Sequence, residues 1–159
     1  MTIKISETLR LRPFQLSDIQ SITSHANNIN VWKNLTDLFP HPYTEKDAEK
    51  FITSVKDLNP PTVFAVEFEG NAIGSIGLSI SKENSELCGD IGFWIGEEFW
   101  NRGIISSSIK AIINYCFLTF PETICISASV FVENLGSIKA MEKSGLQRIK
   151  FIEKAITKD

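Results

Sequence analysis

Three runs between residues 62 and 96 restrict the fold more than anything else in this chain. TVFAVEFE (62–69), AIGSIGLSIS (72–81) and LCGDIGFWIG (87–96) are rich in β-branched and aromatic residues, and only Gly70-Asn71 and KENSE (82–86) stand between them. Connections this short join antiparallel neighbours, because a parallel crossover needs a dozen or more residues. The stretch therefore predicts a three-strand antiparallel meander with a tight turn at Gly70-Asn71.

On either side the apolar period changes. TLRLRPF (8–14) alternates polar and apolar residues and reads as a half-buried strand stopped by Pro13. Ser17, with Gln20 three residues on, predicts a capping-box start for a helix that Asn27, Asn28 and Asn30 break. Thr44 caps EKDAEKFITSVK (45–56), where Ala48, Phe51, Ile52 and Val55 recur at three- and four-residue steps. After the meander, Ile105, Ile109, Ile112, Ile113, Cys116, Phe117 and Phe120 mark one apolar helical face, which Pro121 closes. TICISASVF (123–131) is strand-like, Asn134 opens a short helix LGSIKAMEKS (135–144), and Gly145 ends it. LQRIKFIEKAITKD (146–159) is strand-like at first. The resulting order, β-α-α-β-β-β-α-β-α-β, predicts an α/β (α+β) fold on a mixed sheet, in a single domain spanning 1–159.

Bulk properties narrow the function classes. With 43% hydrophobic and 22% charged residues the chain reads as soluble and globular. A net charge of −3 without a basic stretch argues against a nucleic-acid partner. No run approaches the roughly 20 apolar residues of a membrane span, and MTIKISETLRLRPF lacks the apolar core of a signal peptide. Cys88, Cys116 and Cys125 form no CxxC pair, which predicts reduced thiols in a cytoplasmic protein. His25 and His41 are the only two histidines, and no ligand-spaced cluster predicts a metal site.

Three places invite chemistry. In WNRGIISSS (100–108) a strand, a short turn and a helix starting near Gly103 direct unpaired N–H groups at one spot. That is either an ordinary helix start or a site for a phosphate. Asp90, between Gly89 and Gly92 in an apolar strand, either faces water on an open sheet face or lines a cleft as a base. Asn134 is an N-cap or a ligand contact, and Ser137 a surface serine or a donor. Glu97 and Glu98 read as solvated loop acids.

LRLRPF, FPHPYTEKDAEKFI, AIGSIGL, DIGFWIGEEFWNRGIISSSIKAI and NLGSIKAMEKSG occur here in that order. Together they resemble the GNAT superfamily of acetyl-CoA-dependent N-acetyltransferases, most closely its RimJ/RimL-like branch of ribosomal-protein N-terminal acetyltransferases. The resemblance implies a mostly antiparallel sheet flanked by helices. It implies pantetheine lying along Phe93, Trp94 and Ile95, and a diphosphate on the backbone of Asn101, Arg102, Gly103, Ile104, Ile105 and Ser106. It also sets Asn134 against coenzyme A. Two positions depart from the pattern. The Q/R-x-x-G-x-G/A positions fall on Trp100, Gly103 and Ile105, so only the central glycine matches. The proton-donating tyrosine falls on Met141, which passes that role to Ser137 or water.

The implied reaction is direct attack of a primary amine on the acetyl thioester of acetyl-CoA in a ternary complex, with Asp90 as the candidate base. The acceptor is a small molecule or a protein N-terminal α-amine, and the rival reading is a non-catalytic acyl-CoA-binding module. The family's closing C-terminal strand would follow EKAITKD. Its apparent lack leaves a sheet edge that a homodimer could complete.

Overall fold

A computed structural model of the chain describes residues 1–83 and 85–149. Six strands form one sheet in sequence order. They are β1 (Ile3–Lys4), β2 (Leu9–Arg12), β3 (Val63–Phe68), β4 (Asn71–Glu83), β5 (Glu86–Ile95) and β6 (Thr123–Ser127). Every neighbouring pair is antiparallel except β5 and β6, which run parallel. The mixed α/β architecture expected from the sequence is the one observed. The two-residue β1, which pairs Ile3 with Leu11, was not foreseen.

The meander forms as its spacing demands, with one shift. Phe68 pairs with Asn71, so Glu69 (φ 50°) and Gly70 (φ 86°) make the turn rather than Gly70-Asn71. Positive φ at both central residues matches the right-handed strand twist, and Gly70 adopts it without Cβ strain. Along β3 the two-residue period sends Phe64 and Val66 to one sheet face and Ala65 to the other. That strand is covered on both sides.

On one face lie α1 (Ile19–Ala26), α2 (Ile29–Trp32) and α3 (Glu45–Val55). Ile22, Ala26, Ala48 and Ile52 are fully buried there. Thr44 caps α3 in a reciprocal capping box with Asp47, as the sequence indicates. At α1 the expectation fails. Ser17 caps nothing; Gln15 and Asp18 form the box around a 3-10 turn (Leu16–Asp18), and α1 begins at Ile19. Asp18 is drawn inward because Arg12 grips it through two 2.8 Å hydrogen bonds while also binding Glu67. Arg10 holds Glu67 from the outer side.

The opposite face carries α4 (Ile104–Thr119), with α5 (Leu135–Lys143) beside it. The buried stripe of α4 is Ile104, Ser108, Ile109, Ile112, Tyr115 and Cys116. It is rotated from the expected face, leaving Phe117 43% exposed. The rotation works because the two polar members satisfy themselves: Ser108 Oγ donates to the Ile104 carbonyl at 2.8 Å, and Tyr115 Oη to the Pro61 carbonyl at 2.8 Å.

Gly145 (φ 98°) ends α5, with Leu146 N–H bonding the Met141 carbonyl and Gly145 N–H that of Glu142, a Schellman closure. The strand of 123–131 is shorter than expected, and 146–149 carry no strand. The rest of the expected final segment, and the sheet edge it concerns, lie outside the described residues.

The cysteines differ most from expectation. Cys88 and Cys125 face each other in the β5–β6 register and are joined by a disulfide. Cys116 is free and buried. Sequence spacing does not reveal the pair because 37 residues separate its members. Only the parallel alignment of two strands brings them together.

Candidate active site

The sheet opens at one place. β6 pairs with β5 only as far as Asp90 and Ser127, whereas β5 continues to Ile95. From Ile91 onward β5 is bonded to β4 alone within the sheet. Ile91 and Ile95 turn to the α4 side, with Phe93 packed against them, and Trp94 turns to the α1–α3 side. Phe93 and Trp94 thus flank the gap from opposite faces. Asp90 sits on the last paired rung with an exposed carboxylate, and the Ser127 hydroxyl donates to it at 3.1 Å. Between the alternatives open from sequence, the structure selects an exposed position at the mouth of the gap. Ser127 was missed as its partner.

The end of β5 leads directly to a helix start. A 3-10 turn (Glu97–Phe99) follows Gly96, and Trp100 Nε1 donates to the Ile95 carbonyl at 3.0 Å. Trp100 therefore clamps the connection. Asn101 (φ 60°) and Gly103 (φ 74°) are left-handed, and α4 begins at Ile104 with no side-chain cap. The first helical bond runs from Ser107 N–H to the Gly103 carbonyl. The N–H groups of Ile104, Ile105 and Ser106 precede it, so the positive end of the helix is left open to an anion. Glycine is required at 103 by its dihedral rather than by crowding, since an added Cβ would meet only Ser106 Oγ, at 3.9 Å. The Arg102 guanidinium lies 4.9 Å from the Phe68 ring centre and 5.8 Å from that of Phe99. The rings hold its side chain over the β3–β4 hairpin, so its backbone is the part presented to the helix start.

A second set of contacts, invisible in the sequence, ties this connection to the α1–α3 side. Glu97 accepts from Asn28 Nδ2 at 2.8 Å and Asn30 Nδ2 at 2.9 Å, bonds that lower its pKa. Asn28 meanwhile caps α2 with its Oδ1. Glu97 is thus a fixed acid, not a freely solvated one. The His25 ring packs edge-on to Phe99 and lies 3.4 Å from Glu98. Gly96 leaves it room, since a Cβ there would fall 2.7 Å from His25 Nδ1.

Burial lowers the His25 pKa from 6.5 by more than Glu98 raises it. Its neutral form therefore stabilises the fold fully above pH 6.5, and that contribution is lost as pH falls through the lowered value. We expect the melting temperature of the wild type to decline on acidification below pH 6.5 more steeply than that of His25→Gln, measured by calorimetry across that window. Parallel pH profiles would contradict this.

Beyond α2, Phe39 stacks on Tyr43 at 5.0 Å and meets Trp94 edge-on at 5.5 Å, so these two rings back Trp94 on this face. Burial pushes the Tyr43 phenol up to about 12, which keeps it protonated near neutrality.

At the start of α5, Asn134 Oδ1 caps the helix by accepting the Ser137 N–H at 3.2 Å. The capping role is thereby observed. Ser137 is half-buried in the first turn, and no hydrogen bond among the described residues joins it to Asp90. Met141 packs against the α4-side core. Burial pushes the Cys116 thiol up, so it has no nucleophilic character near neutrality. Among the described residues no cluster of His, Cys, Asp or Glu could hold a metal ion, and no helix is long and apolar enough to cross a membrane.

Known proteins share the fold and much of the sequence pattern. The acetyltransferase (GNAT) domain family matches residues 8–147. A Bacillus subtilis protein described as uncharacterized N-acetyltransferase YnaD is 28% identical over 154 residues, covering 96% of this chain and 87% of its own length. The crystal structure of a GNAT-family acetyltransferase from Bacillus anthracis superposes with a TM-score of 0.82 at 26% identity, covering 98% of this chain and 89% of that one. RimL, a ribosomal L7/L12 alpha-N-protein acetyltransferase solved with coenzyme A, shares the fold at TM-score 0.75 and 17% identity, over 91% of this chain and 82% of its own.

Proposed function

Because the chain belongs to the GNAT acetyltransferase family and so uses acetyl-CoA, we propose that it acetylates a primary amine, preferentially a peptide or protein N-terminal α-amine, in the gap between β5 and β6. The observation that carries this reading is the continuity of the site: the stretch of β5 from Ile91 to Ile95, open on its β6-side edge, leads through one short turn to the uncapped start of α4. The residues present fit the co-substrate. The backbone N–H groups from Asn101 to Ser106 would hold the diphosphate, with Gly103 supplying the left-handed turn. The β5 edge beside Phe93, Trp94 and Ile95 would take the pantetheine arm as an added strand, and the α5 start at Asn134 would meet it from the other side. A cytoplasmic setting goes with this reading, because acetyl-CoA is the co-substrate.

Bound acetyl-CoA supplies the acetyl thioester; the chain supplies position and proton handling. Holding amine and thioester together accounts for much of the acceleration. Asp90, oriented by the Ser127 hydroxyl, accepts the ammonium proton at its carboxylate, directly or through a water. A backbone N–H of the open β5 edge would be the donor to the acetyl carbonyl oxygen. The Ser137 hydroxyl would be the donor for the coenzyme A sulfur, a weak one that suffices because a thiol pKa is about 8.5.

The preference for an α-amine follows from the modest base. Freeing an amine of pKa about 8 at pH about 7.4 costs about 1 kcal/mol, against about 4 kcal/mol for a lysine-like amine of pKa about 10.4. An exposed carboxylate suits the first better than the second. Thiol release from acetyl-CoA should be faster with a peptide beginning in Ala or Ser than with spermidine. Faster turnover of spermidine would reject the α-amine assignment. Binding of acetyl-CoA without thiol release over an amine panel would reject catalysis.

A further inference from the structure

We propose that Cys88 and Cys125 form a reversible dithiol/disulfide site, taking a soluble dithiol as reductant, whose state sets how firmly the β5–β6 gap is held for acetyl-CoA. The functional consequence rests on the co-substrate reading above; the redox site rests on the fold. Cys88 and Asp90 point to the same face of β5, and Cys125 and Ser127 to the same face of β6, because side chains alternate along a strand. On that face the disulfide is the nearest pair to Asp90–Ser127, with only the Gly89–Ile126 rung between them before the strands part. Among the described residues β6 is a five-residue strand whose only strand neighbour is β5. Besides its backbone bonds to β5, the packing of Ile126 on the α4-side core and the Ser127–Asp90 bond, this disulfide is the one covalent tie seen on it.

The exchange has a defined direction of entry. Cys125 is exposed, whereas Cys88 is 8% exposed. A reductant thiolate attacks Cys125 Sγ, the Sγ–Sγ bond breaks, and Cys88 leaves as a thiolate that takes a proton. The second thiol of the reductant then attacks its own sulfur in the mixed disulfide and releases Cys125 as a thiol. Two electrons and two protons pass to the protein, and the reductant becomes a disulfide. In a reducing cytoplasm disulfides that do form are usually transient or redox-sensing. The position of this one, beside the proposed base, gives such a change a functional target. Reduction removes the covalent tie nearest the Asp90–Ser127 rung and leaves hydrogen bonds and the packing of Ile126 to hold it, and a less preorganised cleft binds more weakly.

The full-length protein is to be prepared oxidised, with oxidised glutathione, and reduced, with dithiothreitol. Alkylation of the denatured chain should count one free thiol, Cys116, in the first form and three in the second. Amide exchange in Thr123–Ser127 should speed up on reduction by about tenfold or more. Calorimetric affinity for acetyl-CoA should fall on the order of three- to tenfold on reduction. Cys125→Ser, with two thiols under either condition, should match the reduced form in exchange and affinity and ignore dithiothreitol. Three free thiols under the oxidising condition, or identical β6 exchange in the two forms, overturns the site. Equal affinity with altered exchange overturns its control of the gap. No heat from acetyl-CoA in either form would instead defeat the co-substrate reading, while thiol count and exchange still decide the redox site.

Discussion

Arg12→Ala is expected to lower unfolding free energy by about 3–5 kcal/mol, the largest stability loss foreseen for a single side chain here. Its guanidinium makes two parallel 2.8 Å bonds to Asp18, donates to Glu67, and reaches the Pro13 carbonyl at 3.1 Å. The side chains of Arg12, Asp18 and Glu67 are 12%, 7% and 9% exposed. Hydrogen bonds to Asp18 outweigh desolvation and raise the arginine pKa further, so the cation persists at every accessible pH. Removing it leaves Asp18 in a poorly solvated place with only backbone donors such as the Gln15 N–H at 2.8 Å, while Glu67 keeps Arg10. An uncompensated buried charge is more costly than a lost ion pair is valuable. In a domain of this size the loss corresponds to a drop in Tm of roughly 6–20 °C. Arg12→Lys should recover only part of it, because a single ammonium cannot reproduce the planar fork. Urea denaturation is the direct measurement: the midpoint should fall with the slope unchanged. A loss under about 1 kcal/mol would mean the cluster is solvated like a surface pair.

Gly74→Ala is expected to reduce turnover about a hundredfold, with a stability cost of about 1–3 kcal/mol. On β4, Gly74 faces Ile95, and an added Cβ would fall 2.1 Å from the Trp94 carbonyl oxygen and 2.7 Å from the Ile95 Cα. Both are backbone atoms and cannot rotate aside, so β5 itself must move. The displaced segment is the one proposed to carry pantetheine, and it is fixed by the Trp100 indole on Ile95 and by Gly96 N–H on the Ile73 carbonyl. Ile73 is also the extra residue of β4 against Val66 and Glu67, so this stretch is already bent. Gly77→Ala, whose Cβ would meet Val63 at an ordinary 3.5 Å, serves as the control and should retain turnover. Thiol-release kinetics on both variants decide the matter; unchanged kcat/KM for Gly74→Ala would show that the gap tolerates a shifted β5.

Much of this architecture can be read from local sequence. Short connections dictate the meander, and Thr44 with Asp47 marks the start of α3. Asn134 and Gly145 delimit α5, and Gly103 marks the start of α4. Each is decided within a few residues by hydrogen bonding or by an allowed φ. The stretch that resembles the acetyltransferase pattern, residues 90–108, was legible for the same reason: β5, its turn and the start of α4 are contiguous in the chain.

Interactions closed over long separations were not legible. Asn28 and Asn30 read as helix breakers, yet they hold Glu97 from 69 and 67 residues away. Cys88 and Cys125 read as separate thiols until parallel pairing opposed them. Ser17 fits a capping pattern, but Asp18 is held elsewhere by Arg12, and the chain caps at Gln15 instead. The sequence by itself determined the meander, the helices α3 to α5, their order and the open helix start, because those depend on energies local in the chain. Only the tertiary structure decided which face of α4 is buried, where β5 parts from β6, and which partners Asp90, Glu97 and Cys88 acquire. Those outcomes depend on packing and desolvation among residues that meet only when the sheet is assembled.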